Sequence, residues 1–258
     1  MMDIEQFDYE LPEELIAQRP LQDRTASRLL VVEKQADKIK HDSFQHLMNY
    51  LKPGDCLVLN DSKVIPVRLF GRKKETGAKI EILLLHEVNR KDEWEALVRP
   101  ARKIKVGDQI DFGDGKLRAT CIEEAEAGAR ILQLSYEGIF LELLNELGEM
   151  PLPPYIKETL SDKDRYQPVY AKEAGSAAAP TAGLHFTDEL LQNLQDQGIK
   201  IAYVTLHVGL GTFRPITADR VQDHEMHAEY YRLSKENARI LQEVRESEGN
   251  IIAVGTTA

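Results

Sequence analysis

The spacing of apolar residues changes twice along this chain, and the changes divide it into three regions. Up to residue 60, Leu29-Leu-Val-Val32 and Cys56-Leu-Val-Leu59 are short unbroken apolar runs of the buried-strand type. Between them Ser43 to Leu51 has the spacing of a short amphipathic helix, and Pro53-Gly54-Asp55 makes a turn into the second run. Pro12, ahead of Glu13-Glu14-Leu15-Ile16-Ala17, suits a first helical position, where a missing N–H costs nothing and early acids favour the helix dipole. Strand, helix, strand predicts an α/β unit.

From Asp61 to about Glu137 the pattern turns to short alternating or β-rich runs: Val64 to Phe70, Lys79 to His86, Glu93 to Val98, Gln109 to Phe112, Lys116 to Cys121 and Arg130 to Tyr136. Turn residues lie between them, at Lys73 to Gly77, Gly107-Asp108 and Gly113-Asp-Gly115, which predicts a small antiparallel β-barrel. A helical stretch, Ile139 to Leu147, and the proline cluster Met150-Pro-Leu-Pro-Pro-Tyr155 lead out of it, the prolines as a rigid crossing that cannot enter a sheet.

In the last region Thr187 is placed to cap a helix that stops at Gly198, followed by a strand from Ile199 to Leu206. Ser234 caps a second helix with Ala238, Leu241 and Val244 on one face; Gly249 stops it, and Ile251 to Val254 is the next strand. Two such units in succession predict parallel strands, whose carboxyl ends are where open α/β sheets bind ligands. The expected fold is therefore α/β, a three-layer α/β/α sandwich with an inserted small antiparallel β-barrel domain. Its expected divisions are 1–60 and 151–258 for the two parts of the α/β domain and 61–150 for the barrel. A strand at the growing edge of a parallel sheet is normally followed by a covering helix, so a further C-terminal portion is expected after Ala258.

Charge narrows the partners. A net charge of −10 excludes a generally basic nucleic-acid coat. Any RNA must meet a local patch, and the basic residues cluster in the expected barrel: Lys63, Arg68, Arg72, Lys73 and Lys74, then Arg99, Arg102, Lys103 and Lys105. Such runs are either phosphate contacts or a solvated face. Cys56 and Cys121 stand alone in apolar runs with no metal-ligand spacing, as in a reducing cytoplasm. No apolar stretch approaches the roughly 20 residues that span a bilayer, and no membrane association is expected.

Chemistry-bearing residues concentrate in four loops. Gly175-Ser-Ala-Ala-Ala-Pro-Thr-Ala-Gly-Leu-His-Phe-Thr187 is a run of tiny residues to which something must approach closely. His207-Val-Gly-Leu-Gly-Thr-Phe-Arg-Pro215, Asp223-His-Glu-Met-His-Ala-Glu229 and Val254-Gly-Thr-Thr257 complete the set. His185 and His207 each stand beside a small-residue loop and an aromatic, as a general acid or base would, or as imidazoles that simply tie loops together. His224, His227 and Glu229 invite a metal reading, but zincin histidines are four apart and these are three apart. Orientation of an organic ligand, or satisfaction of loop backbone, competes with it. Gly209-Leu-Gly211 and Gly255 either admit a ligand to the backbone or make tight turns; neither a P-loop nor a dinucleotide fingerprint is present.

At these residues the chain resembles the S-adenosylmethionine:tRNA ribosyltransferase-isomerase family of queuosine biosynthesis. The likeness runs through Asp8 with Leu11-Pro12, Asp23-Arg24 with Ser27-Arg28, Leu59-Asn60-Asp61, Pro66-Val-Arg-Leu-Phe-Gly71, Gly148-Glu-Met-Pro-Leu-Pro-Pro-Tyr-Ile156, Tyr166-Gln-Pro-Val-Tyr170 and all four loops. It implies transfer and isomerisation of the ribosyl moiety of S-adenosylmethionine, a substrate rather than a cofactor, onto 7-aminomethyl-7-deazaguanine (preQ1) at the tRNA wobble position. The products are epoxyqueuosine-tRNA, adenine and methionine. No cofactor or metal is implied, and a monomer is expected. His185 and His207 are then assigned to proton transfer, with His227 and Glu229 sharing that role or orienting substrate. Thr181, Gly183, Gly209, Gly211, Thr212, His224, Thr256 and Thr257 are expected to hold the nucleoside, and Phe186 and Phe213 to stack on adenine or face the sulfonium. Lys63, Arg68, Arg72, Lys73, Arg99, Arg102 and Lys103 are expected on the tRNA. The alternative is a non-catalytic RNA- or nucleotide-binding module, and a second rival is a metal-dependent hydrolase built on His224, His227 and Glu229.

Overall fold

The structure is a computed structural model that describes residues 2–88, 90–125, 128–158, 162–209, 218–224, 226 and 228–258. The apolar run at 29–32 forms strand β1 (Arg28–Glu33), but its partner is β2 (Lys38–Ser43), antiparallel from Arg28↔Ser43 to Glu33↔Lys38. Leu30 and Val32 remain 55% and 57% exposed, which corrects the expectation of a buried strand. A short apolar run is buried only where a second layer covers it, and a two-stranded ribbon supplies none. The amphipathic stretch after it is a 3-10 helix, Phe44–Tyr50, and the Pro12 segment makes a single 3-10 turn, Glu13–Leu15. Phe44, Leu47 and Tyr50 stand three apart, the spacing that a 3-10 helix eclipses on one side.

Strand β3 (Cys56–Asn60) is buried at every position. The next predicted strand is divided at Pro66 into β4 (Ser62–Val64) and β5 (Arg68–Lys73), since proline has no N–H for a ladder. Strands β6 (Lys79–Glu87), β7 (Glu93–Arg99), β8 (Gln109–Phe112), β9 (Leu117–Glu124) and β10 (Ala129–Tyr136) follow. Their order, β5-β6-β7-β10-β9-β8, closes where Arg72 pairs Asp111 and Lys73 pairs Ile110. The result is a closed six-stranded antiparallel barrel. Alternate residues fill it, among them Leu69, Ile80, Ile82, Leu84, Val98, Ile110, Phe112, Leu117 and Leu132, and Cys121 joins them. Helix α1 (Phe140–Leu147) adds Leu144 to this core, and β11 (Gly148–Glu149) pairs with β5.

The chain returns through β12 (Glu173–Ser176), parallel to β4, into α2 (Asp188–Asp196), where the Thr187 hydroxyl accepts from Leu190 N at 3.1 Å. Then come β13 (Lys200–His207), β14 (Tyr230–Arg232), α3 (Lys235–Glu246) and β15 (Ile251–Ala253), with Ser234 Oγ capping α3 by accepting from Asn237 N at 3.1 Å. The sheet order is β14-β13-β3-β15, with β13 and β15 parallel to β3 and β14 antiparallel to β13. Leu57 and Leu59 pack with Phe186, Leu190, Leu191 and Leu194, while Cys56 packs with Ala202, Val244, Ile240 and Leu241. Alternate residues of β3 thus meet helices on opposite faces, and the α/β/α layering follows. No helix among the described residues is long and apolar enough to cross a membrane.

Because Leu59 is wholly buried at the centre of that layer, Leu59→Ala is expected to cost ~2–5 kcal/mol of stability, mostly as an unfilled cavity. Chemical denaturation checks this; a loss under ~1 kcal/mol would mean that the layer relaxes around the gap.

Candidate functional site

The parallel strands β3, β13 and β15 end on the same side, and the polar residues that follow them are knit together. Asn60, fully buried, donates from Nδ2 to Leu206 O at 2.9 Å and accepts at Oδ1 from Ser62 N at 3.0 Å and Leu206 N at 3.2 Å. Ser62 Oγ donates to the same Leu206 carbonyl at 2.6 Å. The Asp61 carboxylate accepts from Thr205 Oγ1 at 2.7 Å. These bonds lock the end of β13, and so the orientation in which His207 leaves it.

His207 sits between two surfaces. Its ring stacks on Tyr230 of β14, with centroids 5.6 Å apart and planes 19° apart. On another side lies Gly175, the residue at which the β12–β4 register shifts. A Cβ there would meet His207 Nε2 at 2.9 Å, and its φ of 146° is one that L residues rarely adopt. The bulge therefore brings bare backbone against the imidazole. Next to it, buried Ser176 accepts at Oγ from Val208 N at 3.0 Å and donates to Ala178 O at 2.7 Å.

His185 closes the 3-10 turn Thr181–His185. Its ring lies 5.3 Å from that of Phe44. The neighbouring carbonyl of Leu184 accepts from Arg24 at 2.9 Å and from Arg165 at 3.4 Å, which binds this loop to two distant segments. The Gly255 loop after β15 comes against the same turn: a Cβ on Gly255 would stand 3.3 Å from Ala182 Cβ. Thr256 is exposed and Thr257 half-buried beyond it.

Both imidazoles are partly buried, and Nδ1 of each has no hydrogen-bond partner among the described residues. Burial lowers the pKa of His185 below 6.5; hydrogen bonding to the Arg24 backbone opposes this, and the charges of Arg165 and Arg24 add to it. Burial likewise lowers that of His207, against the attraction of Asp61 and Glu173 and with a smaller push from Arg232. At neutral pH both are thus held in the basic form, with a lone pair to take up a proton.

The same shifts set a stability trend. The unfolded chain binds protons at these histidines more readily than the folded one, so stability is full above 6.5 and is lost as pH falls below it. A melting-temperature series from about pH 8 to about pH 5 is expected to fall on the acid side, and to fall less steeply in His185→Gln and His207→Gln. Equal slopes in all three proteins would remove these groups from the account.

The remaining expected residues fall in several places. Gly209 N donates to Glu229 Oε1 at 2.8 Å, which ties the loop after β13 to the start of β14. Thr181 is exposed at the rim, and His224 is exposed after the 3-10 turn Val221–Asp223. Phe186 is 0% exposed and packs edge-on against Phe44, centroids 5.0 Å apart, so its ring belongs to the core rather than to an open face. Gly183 is also buried, its Cα facing the Tyr170 hydroxyl. Gly211, Thr212, Phe213 and His227 lie outside the described residues. Lys63 is exposed but lies on β4, which pairs with β12 outside the barrel, a correction to its expected place in the barrel's basic cluster. On the barrel Arg72, Arg99, Arg102 and Lys103 are exposed, whereas Arg68 pairs with Glu81 at 2.8 Å and Lys73 with Asp108 at 2.6 Å. In the sequence, the polar run from Asn60 to Pro66 reads as a hinge able to reach this cleft without singling out Asp61, Ser176 lies unmarked within the small-residue loop, and Tyr230 carries no signal.

Comparison with known proteins places the chain in a family. A family model described as queuosine biosynthesis protein matches residues 4–258. Among solved structures, the S-adenosylmethionine tRNA ribosyltransferase of Thermotoga maritima is 38% identical, over 96% of this chain and 68% of that one, with a TM-score of 0.43.

Proposed function

This chain belongs to the queuosine biosynthesis protein family, and from that premise we propose that it is an S-adenosylmethionine:tRNA ribosyltransferase-isomerase. Its substrates are S-adenosylmethionine and a tRNA carrying preQ1 at the wobble position, and its products are epoxyqueuosine-tRNA, adenine and methionine. The observation that carries this reading is a family match spanning 4–258, together with the 38% identity to a protein of that transferase activity.

The geometry supports it in chemical terms. A sulfonium acidifies the ribose carbon beside it, so a modest base suffices to remove a proton there. His207, half-buried, neutral and fixed between Gly175 and Tyr230, meets that requirement. Loss of the proton lets the ribose ring open and adenine depart. Adenine leaves poorly as an anion, so a positioned proton donor contributes roughly 100- to 10,000-fold. His185, held neutral, serves the departing adenine as a hydrogen-bond donor rather than as a full acid, on a loop that the Gly255 segment adjoins. The preQ1 aminomethyl group must also shed a proton to attack, and Glu229, bound to Gly209 N, orients the loop on that side. Thr181, Gly209, Thr256 and Thr257 border the place where the nucleoside lies.

Release of adenine from S-adenosylmethionine, measured with and without preQ1-bearing tRNA, tests the reading. Release that requires the modified tRNA is expected. No release under either condition would leave a non-catalytic RNA-binding module as the better account.

A further inference from the structure

We infer that the outer face of barrel strands β5, β6 and β7 is a base-stacking surface for single-stranded RNA, with Phe70 as the ring on which an unpaired base of the anticodon arm lies. This rests on tRNA being the substrate. It adds a specific contact that phosphate-binding cations alone do not supply.

The barrel's alternation sets the argument. Leu69 points into the core, so Arg68, Phe70 and Arg72 point out. Phe70 is 49% exposed on a barrel whose buried cluster holds the remaining phenylalanine of its strands, Phe112. Cross-strand register places Phe70 opposite Glu81, Glu81 opposite Arg99, and Arg72 opposite Lys79. The Arg68 guanidinium lies over the Phe70 ring at 5.2 Å from its centroid, held by Glu81 at 2.8 Å. The ring is thus fixed from one side by an arginine that is itself neutralised. Arg72, Lys79 and Arg99, around it, make no ion pair among the described residues.

A single exposed apolar side chain is ordinary on a protein surface. An orientated aromatic ring bordered by three unneutralised cations, on a chain with net charge −10, is a different object. Exposed cations concentrate phosphate locally despite the overall repulsion, and a flat ring among them offers what a base requires: a π face that tolerates any sequence. The nearby carboxylates do not cancel this. Glu81 is engaged by Arg68, Asp111 opposite Arg72 is engaged by Arg118, and Glu149 faces Arg68 across the β11 edge. The surface also lies within reach of the histidines. Phe70 is six residues beyond Val64, at most about 22 Å of chain, and Val64 pairs with Ser176, next to the Gly175 that contacts His207.

The test is binding of an anticodon stem-loop RNA by the full chain, followed by anisotropy, for wild type, Phe70→Ala, Phe70→Leu, Phe70→Tyr and Arg99→Gln. Phe70→Ala and Phe70→Leu are expected to weaken binding roughly 5- to 150-fold, the loss of one stacked base, while Phe70→Tyr binds as wild type. The slope of log affinity against log salt should stay unchanged in the Phe70 variants and drop by about 0.7–0.9 in Arg99→Gln. The KM for S-adenosylmethionine should not move in any of them. Unchanged affinity in both Phe70→Ala and Phe70→Leu, with wild type binding, would overturn the stacking proposal alone. Failure of wild type to bind the RNA would overturn both it and the functional reading on which it rests.

Discussion

Replacing His207 by alanine is expected to reduce turnover by roughly 100- to 10,000-fold, the contribution of one positioned proton-transfer group. The fold should survive. His207 is only half-buried, its backbone position is set by the Asn60 and Ser62 bonds to Leu206, and its ring contributes one stacking contact with Tyr230. The loss should appear in kcat more than in the KM for S-adenosylmethionine, because the imidazole acts on a proton rather than holding the nucleoside. Exogenous imidazole is expected to restore part of the activity, since the substitution opens a space between Gly175 and Tyr230 of the right shape. His207→Gln, which keeps the bulk without the base, should be as inactive as the alanine variant and should not respond to imidazole. Near-normal turnover in both variants would remove His207 from the chemistry.

The second large effect is expected at a residue with no side chain. Gly175→Ala places a Cβ 2.9 Å from His207 Nε2, on a backbone whose φ of 146° already disfavours any side chain. Either the bulge shifts or the imidazole does. A displacement of about 1 Å at a reacting group costs up to about 100-fold in rate. Because among the described residues β12 pairs only with short β4, the strain is taken up locally, and global stability should fall far less than activity does. Single-turnover adenine release and a melting curve measured on the same preparation separate the two. Loss of stability in proportion to activity would make Gly175 a folding residue and nothing more.

Much of this architecture was legible from residue patterns, and the failures have common physical causes. The barrel was visible because one face of every strand must fill a closed interior, which enforces strict alternation. Strand β3 was visible because a central parallel strand is covered on both sides and becomes uniformly apolar. The polar edge elements were invisible: β2 is mostly exposed and β14 entirely so, and a strand that buries nothing carries no period. The same cause led β1 to be expected in the wrong sheet, since apolar residues record a tendency to be covered and not the layer that covers them. The division of the 64–70 run at Pro66 was available in the sequence, as a proline inside a strand pattern.

For the site, the histidine- and glycine-bearing loops stood out because neither solvation nor core packing explains their composition. Residue type could not say which way a side chain turns. Phe186 and Gly183 fit a ligand pocket equally well on paper, and both are spent inside, Phe186 beneath Phe44 and Gly183 beneath Tyr170. Conversely Ser176, Asp61 and Thr205 look like ordinary loop and strand polar residues until β13, β4 and β12 are brought side by side. Gly175 is the clearest case. Its position in a small-residue run signals close approach, but only the bulged pairing with β4 identifies the His207 ring as what approaches.

The central claim is that this chain moves a ribosyl group onto the wobble base, and the most direct measurement is the mass of the wobble nucleoside recovered from preQ1-bearing tRNA after incubation with the enzyme and S-adenosylmethionine. The account predicts conversion of the preQ1 nucleoside into epoxyqueuosine, with adenine released in equal amount and both products formed roughly 100- to 10,000-fold more slowly with His207→Ala. Recovery of unmodified preQ1 nucleoside from the wild-type reaction, whatever happens to S-adenosylmethionine, would contradict it.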